Sequence, residues 1–280
     1  MFSKELLAEF ASGGGAPLGL LFLSELVGTF FLILLGNGVN ASNSFKNMFA
    51  KKTGGNWVVI ILGWGFAVMA GIIAALAISN FAGAHLNPAV TMFAFISALV
   101  DKANVGTTSG ALLFGFAIVY IIAQFLGAMI AQTLLNVMNW QHIKENELAV
   151  LKGTSCTGPS HRNAWFNNGL YEFMGTFVLL FIILAVSKNA NAGGSFQGTI
   201  LPVVFIVMSI GLSLGSATGY AINPARDLGP RIIYFATAKL YGKKLINPVS
   251  ADFTYGLLIP GLMPMLAGIV VGFISFAFYQ

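Results

Sequence analysis

The sequence predicts an all-α membrane protein with six transmembrane helices, two re-entrant half-helices and an inverted internal repeat. Three observations carry that prediction. The chain is 57% hydrophobic, with a mean hydropathy of +0.83 and 8% charged residues, where an ordinary soluble domain carries about 25%. Residues 53–100 and 189–225 contain no Asp, Glu, Lys or Arg, and each run outlasts the ~20 apolar residues that one crossing needs. Two short motifs also occur twice, in the same order along the chain.

Apolar runs between polar or Gly/Asn-rich breaks put the spans near 18–39, 57–79, 111–136, 167–187, 199–216 and 255–279. The first run is too long for a signal-peptide core and lacks a small-residue cleavage pattern, so it is expected to remain as a span. Glu25-Leu-Val-Gly-Thr-Phe30 within it recurs as Glu172-Phe-Met-Gly-Thr-Phe177 in the fourth. Ala84-His-Leu-Asn-Pro-Ala-Val90, after the second span, recurs as Tyr220-Ala-Ile-Asn-Pro-Ala-Arg226 after the fifth. The chain therefore reads as one domain, 1–280, made of a repeat at about 1–140 and another at about 160–280. Each repeat crosses three times, an odd number, so the second enters from the opposite side and a functional site is expected at the midplane. Residues 137–166 and 237–254 have the length to form structured caps. Gly28, Gly36, Gly71, Gly115, Gly127 and Gly211 suit close helix crossings.

Asn87-Pro88-Ala89 and Asn223-Pro224-Ala225 are helix starts. Asn is a favoured N-cap, and Pro a favoured first residue because the N–H it lacks has no helical partner there. A helix from Asn87 to about Ser97 would rise about 16 Å, half of a ~30 Å hydrocarbon core. Irregular backbone at that depth survives only where it is buried or lines a wet cavity. The stretches Phe81 to Leu86 and Ala217 to Ile222 are thus expected to present carbonyl groups to a pore. Two helix N-termini then meet at one place, where their dipoles disfavour cations. Arg226, in the first turn of the second half-helix, is costly in a membrane by at least ~2.5–3.5 kcal/mol and calls for a specific role.

Two such triplets in a duplicated six-span frame, with Arg226-Asp-Leu-Gly-Pro-Arg231 after the second, resemble the major intrinsic protein (aquaporin) family over essentially the whole chain. The resemblance is to its aquaglyceroporin, or glycerol uptake facilitator, type. It implies a channel domain in which the amides of Asn87 and Asn223 donate to the oxygen of a passing molecule and interrupt a proton-conducting water wire. It implies a selectivity filter containing Arg226, Gly211 and Tyr220, with Gly211 leaving the constriction wide. The fourth member is an aromatic of the second span: Gly63-Trp64-Gly65-Phe66 matches the pattern, whereas counting back from His85 without a gap lands on Ala67. The phenol of Tyr220 points either into the lumen or outward to a neighbouring helix. Asp227 is a glycerol-type signature, spaced to pair with Arg231 on one helix face or to act as a plain capping carboxylate. Glu25 and Glu172 are implied to hold the re-entrant loops, with His85 packing in the first of them. A homotetramer is implied as well.

The resemblance implies passive flow of glycerol and similar small uncharged solutes with water, without ions or protons, through an integral protein of a microbial cytoplasmic membrane. A water-dominated pore is the alternative. Both termini are then cytoplasmic, which leaves Lys4, Lys102 and Lys188 inside. Lys46, Lys51, Lys52, Lys144, Lys152, Arg162, Lys239, Lys243 and Lys244 fall outside, against the positive-inside tendency. The net charge of +5 is scattered singly with no basic stripe, which excludes nucleic acid as a partner. With one cysteine, Cys156, and three dispersed histidines (His85, His142, His161) no disulfide, metal or other cofactor is expected. No nucleophile, base and orienting group cluster to suggest an enzyme. An ion channel or coupled transporter would call for acidic rings or titratable relays. With no long tail after Gln280, little room is expected for a regulatory domain.

Overall fold

Backbone inside hydrocarbon has to satisfy its own hydrogen bonds, which confines spanning segments to helices or closed barrels. The computed structural model describes residues 18–79, 84–101, 110–191, 197–241 and 249–278, with no side chain given for 188–199 or 278. Residues 80–83, within the stretch leading to the first triplet, and Lys4, Lys102, Lys243 and Lys244 lie outside the described residues. Helix α1 (Leu18–Ser44) is followed by α2 (Trp57–Ile78), α3 (Pro88–Val100) and α4 (Gly110–Met138). Two short helices, α5 (Trp140–Glu145) and α6 (Leu148–Ser155), lead to α7 (Trp165–Asn191), α8 (Gln197–Ser213), α9 (Pro224–Leu240) and α10 (Phe253–Ala277). The order span, span, capped helix, span thus occurs twice.

Helices α1, α2, α4, α7 and α10 are long and apolar enough to cross a membrane. The fifth expected span, 199–216, is shorter than its apolar run: α8 has 17 residues, about 26 Å at 1.5 Å per residue. The chain then tightens into a 3₁₀ turn at Gly215–Ala217. In α10, Pro260 sits in a π-helical stretch at Leu257–Leu262, which absorbs the missing N–H without ending the rod.

Packing explains why each half of the chain needs the other. Helix α1 packs on α2 and α4, and α7 on α8 and α10, but α3 lies mainly against α10 and α9 against α4. Each capped helix is thus held by the opposite half. Small residues permit these crossings. A Cβ on Gly28 would lie 2.9 Å from the Gly71 carbonyl oxygen, and one on Gly71 2.7 Å from that of Gly28. Gly127 meets the Leu26 carbonyl, and Gly268 would place a Cβ 2.6 Å from that of Ala89. Gly115 corrects the expectation: among the described residues nothing lies within 4 Å of its Cβ position, so it sits at no crossing between them.

The capped helices also differ in length from the expectation. Helix α3 has 13 residues, about 20 Å. Helix α9 has 17, about 26 Å, because its second half serves another core. Tyr234 and Ala238 pack with Phe45, Ile143, Leu148 and Leu151, so the 137–166 connection is a structured cap. On the perimeter, Phe66, Ile73, Phe114, Ile130, Phe205 and Phe273 stay exposed, an apolar surface suited to lipid.

Candidate functional site

The two Asn-Pro-Ala triplets meet through a reciprocal pair of hydrogen bonds. Asn87 Nδ2 donates to the Ile222 carbonyl and Asn223 Nδ2 to the Leu86 carbonyl, both at 2.8 Å. Each side-chain oxygen is occupied by its own helix. Asn87 Oδ1 accepts from Ala89 N at 2.8 Å, and Asn223 Oδ1 from Ala225 N at 3.0 Å and Arg226 N at 3.2 Å. Pro88 and Pro224 supply the first helical residues and need no partner for a backbone N–H. An amide has two N–H groups, so each asparagine keeps one donor in reserve, and both asparagines line a cavity of 230 Å³.

The loops that bring them together are strained in matching places. Leu86 and Ile222 have φ of 55° and 42°, a left-handed conformation that costs bulky residues about 1–3 kcal/mol each. Two buried carboxylates hold it. Glu25 accepts from His85 N at 2.6 Å and Leu86 N at 2.8 Å. Glu172 accepts from Ala221 N at 2.9 Å and Ile222 N at 2.7 Å. Gln124 Nε2 adds a bond to Glu25 at 2.7 Å, and the Thr218 hydroxyl one to Glu172 at 2.6 Å. His85 is buried beside the cavity, its Nδ1 3.1 Å from Thr91 Oγ1 and its ring 4.9 Å from that of Tyr120.

A second cavity, of 180 Å³, lies beyond the first, and Trp64, Tyr220 and Arg226 line both. These three form the ring between the chambers. The guanidinium carbon of Arg226 stands 4.1 Å from the Trp64 ring centroid, a cation–π contact worth up to ~2 kcal/mol when desolvated. Of the two second-span alternatives, Trp64 faces this ring, whereas Ala67 is wholly buried in the core. Arg226 Nη1 and the Tyr220 hydroxyl are buried without a hydrogen-bond partner among the described residues.

A Cβ at Gly211 would lie 3.0 Å from Tyr220 Cζ and 3.0 Å from Ile61 Cγ1, so the tyrosine ring packs into the room that this glycine leaves. Its carbonyl also accepts the Trp57 indole N–H at 3.1 Å.

Asp227 is fully buried and is no surface carboxylate. It meets Arg231 through two bonds, Nε to Oδ1 at 2.7 Å and Nη2 to Oδ2 at 2.9 Å. Asp227 Oδ2 also accepts the backbone N–H of Thr157 at 2.8 Å and its hydroxyl at 2.6 Å. Arg231 closes the knot by donating to the carbonyls of Thr157 at 2.8 Å and Ala251 at 2.6 Å. The pair thus pins the connections at Thr157 and Ala251 to α9, and Arg231 takes up the charge of Asp227 beside Arg226.

Sequence reasoning passed over Thr157, which joins this knot and lines the second cavity, and the amides Asn37, Asn40, Gln124, Gln132 and Asn136. All five amides are buried inside apolar helices. Their rarity at membrane depth was the available signal, since a polar side chain there needs a partner.

A family model described as Major intrinsic protein matches residues 20–275. Over 260 residues the chain is 51% identical to a "Probable glycerol uptake facilitator protein" of Mycoplasmoides gallisepticum, spanning 93% of this chain and 98% of that one. It is 37% identical over 255 residues to "Glycerol uptake facilitator protein 3" of Lactiplantibacillus plantarum, spanning 90% and 94%. Among solved structures, the aquaglyceroporin from Plasmodium falciparum matches with a TM-score of 0.72 at 28% identity, covering 92% of this chain and 96% of that one.

Proposed function

Because the chain belongs to the major intrinsic protein family and is an integral multi-pass membrane protein, we propose that it is a passive channel for glycerol and other small uncharged solutes with water. The observation that carries this reading is the ring of Trp64, Tyr220 and Arg226 between two chambers, one of which contains both asparagine amides. The ring is amphipathic: two aromatic faces suit the C–H edge of a polyol, and Arg226 Nη1 is a free donor for its hydroxyls. Past the ring, one wall of the 230 Å³ chamber is aliphatic, with Val68, Ile72 and Val207. Asn87 and Asn223 turn their oxygens to their own helix caps, and each keeps one N–H for the passing molecule. A hydroxyl passing between them accepts from both, turns its own hydrogens away and relays no proton. The positive helix ends and Arg226 oppose cations.

In this reading Glu25 and Glu172 hold the loops, Asp227 locks the outer connections, and no residue performs catalysis. The two structural halves correspond to repeats at about 1–140 and 160–280. The bacterial relatives support a microbial cytoplasmic membrane as the location, and the family resemblance supports a homotetramer. The test is stopped-flow light scattering on proteoliposomes. Shrinkage in an impermeant osmolyte reports water, and re-swelling in glycerol reports solute. Re-swelling at the rate of protein-free vesicles rejects the glycerol reading. Fast shrinkage without it supports a water-dominated pore, the reading favoured by a Tyr220 ring that fills the space beside Gly211.

A further inference from the structure

The indole N–H of Trp64 is held by another side chain. It donates to Asn40 Oδ1 at 3.2 Å and starts a chain of amides. Asn40 Nδ2 reaches Asn37 Oδ1 at 3.4 Å, a weak bond, and Asn37 Nδ2 donates to Gln132 Oε1 at 2.7 Å and the Ser155 carbonyl at 2.9 Å. Gln132 Nε2 donates to Asn136 Oδ1 at 2.8 Å, and Asn136 Nδ2 to Thr237 Oγ1 on α9 at 3.0 Å. The polarity of the chain is determined by its fixed members. An indole only donates and a backbone carbonyl only accepts, so Asn40 has to present its oxygen to Trp64 and Asn37 its nitrogen to Ser155. Every side chain in the series is at least nine-tenths buried.

This belt joins the two walls of the constriction. Trp64 stands on α2, and the other end of the belt grips α9, the helix that carries Arg226. The far edge of the indole rests against Gly36, where any Cβ would collide with it. The ring is therefore held at its edge by packing, on one face by Arg226 at 4.1 Å and at its nitrogen by Asn40. Of these, the bond to Asn40 is the directional contact: turning the ring about its Cβ–Cγ bond carries the indole nitrogen away from the Asn40 oxygen.

Resting on the reading of Trp64 as a filter member, we propose that Asn40, oriented by Asn37 and Gln132, is a specificity-determining positioning residue that sets the aperture by locking the Trp64 indole. Asn40 also lines the second cavity, but its effect on selectivity is exerted through Trp64. Freed of this bond, the indole rocks, and longer polyols are excluded less well relative to glycerol.

The experiment measures the ratio of glycerol to xylitol permeability in proteoliposomes, a quantity independent of how many channels insert. Asn40→Leu is expected to lower that ratio about five-fold, the scale of one hydrogen bond lost from a competition between two solutes. In a Trp64→Phe background, which has no N–H, Asn40→Leu is expected to change nothing further, the outcome of a cycle in which one residue acts only through the other. An equal effect in both backgrounds overturns the proposal. So does an unchanged ratio in Asn40→Leu while Trp64→Ala shifts it, which leaves the filter reading standing. An unchanged ratio in Trp64→Ala removes the filter reading itself. Should Asn40→Leu fail to assemble, ¹⁹F NMR of 5-fluorotryptophan-labelled protein reads the same bond in Asn37→Ala, with Trp64 assigned from its loss in Trp64→Phe. A Trp64 resonance unmoved and no broader than in the unsubstituted protein rejects the belt, and a shifted or broadened one supports it.

Discussion

Arg226 lies with its guanidinium carbon 4.1 Å from the centre of the Trp64 ring, at the one place where the inner and outer cavities share their lining. Its charge is not cancelled by its neighbour in sequence, because Asp227 is bound to Arg231. In the proposed pathway a solute would meet an aromatic face and a guanidinium nitrogen that has no partner among the described residues. Replacing the guanidinium removes a charged donor worth about 1.5–3 kcal/mol. Arg226→Ala is accordingly expected to lower glycerol relative to water permeability about tenfold. It should also admit protons, read with a pH-sensitive dye inside proteoliposomes. Unchanged glycerol, water and proton fluxes would contradict the role given to this residue.

The Asp227–Arg231 pair is wholly buried and joins α9 to the connections at Thr157 and Ala251. Asp227→Asn leaves a buried guanidinium without its countercharge, at a cost of about 3–5 kcal/mol. Thermal unfolding in detergent is expected to show Tm lower by more than about 5 °C. An unchanged Tm would mean that the outer connections are held by something else.

The Tyr220 hydroxyl is buried without a partner among the described residues, an arrangement that costs about 1–3 kcal/mol. Tyr220→Phe keeps the ring that fills the space beside Gly211 and discards the orphaned group. Glycerol permeability is expected to stay within about twofold, with Tm equal or higher. A large loss of glycerol flux would instead assign the hydroxyl to solute contact.

Cys156, in the connection after α6, lines the outer cavity, and burial pushes its thiol up to about 11. The reactive form is the thiolate. Alkylation by a small maleimide is therefore expected to be slow at pH 7 and to accelerate about tenfold per pH unit until it levels off near that value. Mass spectrometry of the intact chain follows the reaction, and glycerol flux should fall in step with it. A rate already at its plateau by pH 8 would contradict a buried, neutral thiol.

Much of the architecture was legible because it follows from composition and short-range rules. The apolar runs had to become helices, the Asn-Pro pairs had to begin them, and the duplicated motifs imposed the order of elements. The site was legible where a residue is anomalous for its surroundings, as with Arg226 in a membrane or two carboxylates in apolar spans. It was less legible where a role depends on who stands opposite. Gly211 reads as empty space until the Tyr220 ring is seen to occupy it. Asn40 reads as one more loop-proximal amide until the Trp64 indole arrives from another helix.

By itself the sequence determined that this chain lives in a bilayer, that two short motifs recur in the same order along it, and that each Asn-Pro-Ala triplet starts a capped helix. Those are properties of local hydropathy, periodicity and capping, readable a few residues at a time. Only the tertiary structure decided that Trp64 and not Ala67 faces Arg226, that Asp227 serves Arg231 and Thr157, and that a belt of amides ties the two walls together. Apart from Asp227 and Arg231, one helical turn apart, those pairings join residues two dozen to more than a hundred positions apart. Hydrogen bonds and ring contacts form between neighbours in space, and the packing of one repeat against the other chooses the neighbours.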